Sequence, residues 1–137
     1  MMESLRRETI AVRVVAAIAV TFGIVTIKAG GSVLFGGIDA VRAAGDLVPF
    51  VVWFNFLAGF AYIAAGVGLW ARRRWAVALA AALAAGTALT FAAFGTHVTN
   101  GGAFEMRTVW ALTLRLAMWS AISLFAWRVL WTRRQAG

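Results

Sequence analysis

Cysteine is absent from this chain, and histidine and proline each occur once. Without a thiol there is no disulfide exchange, no thiolate metal site, no Fe–S ligation and no cysteine nucleophile. The chemistry of the quinone-linked disulfide enzymes is excluded on the same ground. With His97 as the single imidazole, haem held by two histidines of one chain is excluded, and no second histidine stands three or four residues away to complete a zinc site. Acids are scarce as well, with Asp and Glu numbering 5 against 13 Lys and Arg, and none lies inside a long apolar run. That removes the proton-for-substrate exchange of small four-helix exporters, which needs a carboxylate inside the membrane. It also leaves serine or aspartate hydrolysis without a triad.

What is present is hydrophobic length. The 137 residues are 63% hydrophobic with a mean hydropathy of +0.86, against an apolar share of about half in soluble domains. Apolar runs cover about 10–28, 47–70, 75–96 and 108–131, each near the ~20 residues that cross a ~30 Å hydrocarbon core as a helix. The chain is therefore expected to be all-α, one transmembrane domain over 1–137, built as an integral membrane bundle of four helices. Its first partner is the lipid bilayer. The first run is preceded by Arg6 and Arg7 like a signal peptide, but Arg13 interrupts it and Lys28 follows it, so it is expected to stay in place.

The net charge of +8 does not point to nucleic acid, because the basic residues punctuate apolar runs instead of clustering on a solvated face. They read as topology. Arg6, Arg7, Arg72, Arg73, Arg74, Arg133 and Arg134 fall on one side. Lys28, Arg42 and Arg107 fall on the other, offset by Asp39, Asp46 and Glu105. The positive-inside rule then predicts both termini in the cytoplasm (N-in/C-in) of a multi-pass protein of the bacterial cytoplasmic (inner) membrane. Trp70, Trp75, Trp127 and Trp131 form an aromatic belt at the arginine-rich side, and Arg13 and Arg128 are anchors that snorkel to it. The arginine triplet is a tight hairpin, while Gly30, Gly31, Gly36, Gly37, Gly101 and Gly102 predict loops at the opposite side. Ala61, Ala65 and Gly68 in the second run, with Ala78, Ala82, Ala85 and Gly86 in the third, predict helix faces that allow close approach.

Polar groups inside the runs carry the functional signal. Arg115 lies about two turns inside the fourth run, too deep for easy snorkelling, and an ionised residue there costs at least ~2.5 kcal/mol on insertion scales. Asn55 and Thr90 lie at comparable depth in the second and third runs, and Tyr62 shares the helix face of Asn55. With Lys28, His97, Glu105 and Arg107 at the rim, these residues outline a pocket for an anionic or carbonyl-bearing ligand such as a quinone headgroup. The alternative is a buried polar network that fixes helix register. No metal is expected.

Several short patterns carry a resemblance. Arg13 is followed by Gly23 and Lys28, and Asn55-Phe56-Leu57-Ala58-Gly59 by Gly66-Val67-Gly68-Leu69. His97 follows the third run, and Gly101-Gly102-Ala103-Phe104-Glu105 precedes the fourth. In these the chain resembles the DoxX-like group of small four-helix bacterial membrane proteins. The group usually carries a glutamate where this chain has Asn55. The resemblance implies a four-helix bundle and, for some members, association with quinone-linked or sulfur-oxidising membrane oxidoreductases. With no complete catalytic constellation, the sequence is read as an accessory or structural subunit of a membrane complex with an outward-facing polar pocket. It pairs with a membrane protein or a second copy of itself. The alternative is a quinone-interacting redox component or a small-molecule transporter.

Overall fold

The computed structural model describes residues 1–131, so the expected terminal anchors Arg133 and Arg134 lie outside the described residues. Helix α1 (Met2–Phe35) is followed by a short α2 (Ile38–Ala44), then α3 (Pro49–Trp70), α4 (Arg74–Thr99) and α5 (Met106–Ala126). A π-helical turn, Trp127–Trp131, prolongs α5. Four of these helices are long and apolar enough to cross a membrane, the fourth counted through Trp131. The protein is an all-helical, four-span membrane bundle. Its exterior agrees, since Ile18, Val25, Leu57, Val67, Leu89 and Leu114 are each at least half exposed. Surface of that kind is stable only against lipid.

The first helix differs from expectation. It runs 34 residues, about 51 Å, and passes through Gly30 and Gly31 where a loop was predicted. The reason is packing: a Cβ on Gly30 would meet Phe56 Cβ at 3.0 Å, so this glycine lets α3 approach and does not turn the chain. The turn comes at Gly36 and Gly37, the latter with φ 83°, and leads into α2, which the apolar pattern does not announce. Pro49 begins α3 at its first position, where a missing N–H costs nothing.

At the other end of the bundle, α3 stops in a Schellman turn. The Arg73 N–H donates to the Gly68 carbonyl at 2.8 Å and Arg72 holds φ 55°, a left-handed position that glycine usually fills.

Helix α1 packs most extensively on α3, and α4 packs on both α5 and α3. The α1–α3 crossing is a glycine contact. A Cβ on Gly23 would lie 2.7 Å from the Gly59 carbonyl oxygen, and one on Gly66 would lie 2.9 Å from that of Ala16. Such close backbone approach is how membrane helices gain dispersion contacts where lipid supplies no hydrophobic drive. Ala65 is buried in the main core. By contrast Ala78, Ala82 and Ala85 are exposed on α4 and do not form the close face expected of them. Gly86 of that group does approach a neighbour, Phe54. A second core of Val48, Val51, Phe94 and Leu112 closes α3, α4 and α5 at the glycine-loop end.

Candidate functional site

Where α1, α3 and the start of α5 face one another at the glycine-loop end, they enclose a cavity of about 270 Å³. Its α1 wall is made of small residues, Thr26, Ala29 and Gly30, and its α3 wall of Val51, Val52 and Asn55. Helix α5 contributes Thr108, Ala111 and Arg115, and Glu105 and Arg107 stand at the mouth. Four of the eight residues singled out in the sequence thus meet in one cavity: Asn55, Arg115, Glu105 and Arg107.

The mouth is closed by a strap. Arg107 donates from its guanidinium to the Ala44 carbonyl, and the Glu105 carboxylate accepts from the Asp46 N–H at 3.0 Å. Between them Gly45 has φ 79° and ψ −143°, a region open in practice to glycine alone. A Cβ there would collide with the Glu105 carboxylate. Glu105 and Arg107 are therefore occupied in holding the segment from α2 to α3 over the cavity. Two charges that the sequence placed at a rim act first on the backbone.

The cavity floor is a cation among aromatic rings. The Arg115 guanidinium carbon lies 5.6 Å from the centre of the Phe22 ring. Phe22 stacks on Tyr62 at 5.8 Å, and Tyr62 lies 4.8 Å from Trp119, one helical turn below Arg115. Tyr62 and Trp119 are wholly buried. The Tyr62 hydroxyl is directed at Arg115, Thr87 and Trp119, yet none of them closes a well-aligned hydrogen bond on it. Four buried polar atoms consequently lack a partner at this level: Asn55 Oδ1, Tyr62 Oη, Arg115 Nε and Trp119 Nε1. Buried polar groups in folded proteins are nearly always paired, and each exception needs a reason.

The remaining candidates are elsewhere. Thr90 donates to the Gly86 carbonyl of its own helix at 2.9 Å and does not line the cavity. Thr87, one turn closer to the arginine end, is the α4 hydroxyl beside Tyr62, and it too donates to its own helix, to Leu83 at 2.7 Å. Back-bonding of this kind is how threonine satisfies itself inside an apolar helix. Lys28 is exposed on α1. His97 shares a 3.0 Å hydrogen bond with the Ala103 carbonyl and ties the loop between α4 and α5. Sequence reasoning missed Thr26, Gly45, Thr87 and Trp119. Only Trp119 had a signal, its spacing of four from Arg115, which puts both on one helix face.

Among the described residues no three His, Asp or Glu side chains gather as metal ligands do. The cavity offers no nucleophile beside a base. The Arg115 guanidinium and the Asn55 amide belong to one largely apolar lining. Compared with protein families, characterised proteins and solved structures, the chain matches none, so the DoxX-like resemblance remains one of short segments.

Proposed function

We propose that this protein is a small ligand-binding subunit of the bacterial inner membrane, accessory to a larger complex, with both termini in the cytoplasm. The positive-inside distribution of the arginines supports that orientation, in which the cavity lies toward the outer leaflet. The observation that carries the reading is that two residues holding an unsatisfied buried polar atom, Arg115 at Nε and Asn55 at Oδ1, both line one cavity. A buried charged donor without an acceptor costs more than the ~1–3 kcal/mol of a neutral orphan, and a ligand oxygen removes that cost.

Two features define the ligand class. The guanidinium asks for an acceptor, anionic or carbonyl, while the Asn55 amide offers either a donor or an acceptor. A volume of about 270 Å³ lies below the ~300–1,000 Å³ of pockets that enclose whole drug-sized molecules. It suits a headgroup whose apolar remainder stays in lipid, as with a quinone or an acidic amphiphile. Binding without chemistry fits an accessory role.

The test is native mass spectrometry of the full chain released from nanodiscs prepared without detergent extraction. The expected spectrum shows one bound amphiphile per chain, lost in Arg115→Met and weakened in Asn55→Leu, together with any partner subunit. Wild-type protein that carries nothing the Arg115 variant lacks would refute the proposal.

A further inference from the structure

At the arginine-rich end a second cavity, about 390 Å³, opens between the first turns of α1, the hairpin that joins α3 to α4, and the end of α5. Arg72, Arg73 and Arg74 line one side, Leu5 and Glu8 another, and Val129 and Leu130 form the floor. We infer that this cleft is a separate binding site for the phosphodiester headgroup of an anionic phospholipid.

Three observations converge on it. The first is charge. Glu8 holds Arg72 at 3.4 Å, and Arg74 lies 5.5 Å from the Trp131 ring, which orients it without neutralising it. The triplet therefore keeps a positive balance against Glu8, the one acid that lines the cleft among the described residues. The second is backbone. Arg72 adopts φ 55°, a conformation that disfavours any side chain relative to glycine. It is held there by Glu8 and by a 3.5 Å hydrogen bond to the Thr9 hydroxyl, so the hairpin is fastened to α1 and the arginines are splayed around an opening. Helix α4 starts at this opening with Arg73 as its N-cap, no side-chain cap and no acid in its first turn. Its free N–H groups add to the positive field.

The third observation selects lipid over a soluble anion. The floor is apolar, and Trp70, Trp75, Trp127 and Trp131 stand exposed at this end of the bundle, the arrangement that marks headgroup level. Basic clefts between helices at that level suit phospholipid headgroups, with the acyl chains following the apolar floor into the bilayer.

The full chain in nanodiscs of phosphatidylcholine doped with phosphatidylglycerol, or with its dimeric tetra-acyl form, gives the test, with retained lipid counted by native mass spectrometry. We expect one anionic phospholipid to be retained in preference to phosphatidylcholine. Arg73→Gln should lower its occupancy about fivefold and the Arg73→Gln/Arg74→Gln pair about thirtyfold. Because removing arginines also weakens the topology signal, Leu5→Trp is the second arm. Leu5 is 51% exposed, so this change fills the cleft while every charge and the packed core stay in place, and retention should fall as far. Arg6→Gln/Arg7→Gln removes the same charge away from the cleft and should leave retention unchanged. Equal loss from the Arg6/Arg7 pair, or full retention in Leu5→Trp, would overturn the site. Inorganic phosphate that protects detergent-solubilised protein from heat as well as the phospholipid does would overturn its assignment to lipid.

Discussion

Replacing Arg115 by methionine separates a binding residue from a structural one. Methionine keeps an unbranched, flexible stem and removes the charge. An arginine near a span centre costs about 2.5–3.5 kcal/mol on insertion scales, and facing a cavity in place of lipid puts Arg115 at the lower end of that range. Against that gain stands the loss of its contact with Phe22, 5.6 Å from the guanidinium, which as a desolvated cation–π pair contributes about 1–2 kcal/mol. The Tyr62 hydroxyl stands beside it without closing a well-aligned hydrogen bond on Nε, so little further polar contact is lost. The balance predicts that ligand-free Arg115→Met unfolds at the same denaturant level as the wild type or is more stable by up to about 1.5 kcal/mol. Ligand retention should vanish.

The assay is reversible unfolding in mixed micelles, titrated with an anionic detergent, beside mass spectrometry of the bound amphiphile. A residue kept for packing would behave in the opposite way, since removing one member of a satisfied buried network costs about 3 kcal/mol or more. Destabilisation of the ligand-free variant by more than about 1 kcal/mol would mean that Arg115 holds the helices together. The cavity would then lose its main argument. Unchanged stability with unchanged ligand retention would sink it equally.

Three further changes probe the parts around it. Gly23→Ala places a Cβ 2.7 Å from the Gly59 carbonyl oxygen and 2.8 Å from Ile63 Cγ1, and the backbone cannot yield. It should cost about 1–3 kcal/mol, read as a lower unfolding midpoint, and a wild-type midpoint would show that α1 and α3 are not this close. Gly45→Ala forces a side chain into φ 79° and against Glu105. Hydrogen exchange at Asp46 and Leu47 should then speed up while the α1–α3 core amides hold, whereas unaltered exchange would mean that the strap does not depend on this glycine. Tyr62→Phe removes a buried hydroxyl that no neighbour satisfies. It should be neutral or stabilising by up to about 1–2 kcal/mol, and a loss above about 1 kcal/mol would reveal a formed hydrogen bond to Arg115, Thr87 or Trp119.

The four spans were legible because length and hydropathy are additive along a chain and need no knowledge of neighbours. Arg115 and Asn55 were legible for a related reason: an ion or amide inside an apolar run is anomalous wherever the helix points. What failed depended on rotation and contact. Thr90 and Thr87 are both threonines on one helix, and only the orientation of α4 puts Thr87 beside Tyr62. Gly30 and Gly31 look like a turn in one dimension. They stay helical because Phe56 packs over them, a fact held in another helix. The small residues of α4 likewise predicted approach to a neighbour, yet Ala78, Ala82 and Ala85 point outward, because composition records which faces permit contact and not which are used. Glu105 and Arg107 were recognised as charges at the right end. Their strap partners, the Asp46 N–H and the Ala44 carbonyl, are backbone groups, which no side-chain pattern encodes.

Both cavities open on the same seam. Helices α1 and α3 interlock through Gly23, Gly59 and Gly66, whereas α1 and α5 make almost no backbone contact. The seam between α1 and α5 widens at one end into the cavity under the Gly45 strap, which both helices line. At the other end it widens into the arginine cleft, where Leu5 and Glu8 face Val129 and Leu130. Midway it is filled by Phe22 from α1 against Arg115 from α5, backed by Tyr62 and Trp119. Of that cluster Arg115 lines the first cavity, and the aromatic rings pack behind it. It gives the cation an aromatic contact at this depth, the Phe22 ring 5.6 Å from the guanidinium carbon. The small α1 residues Ala29 and Gly30 line the upper end of that seam, where they leave room for the cavity.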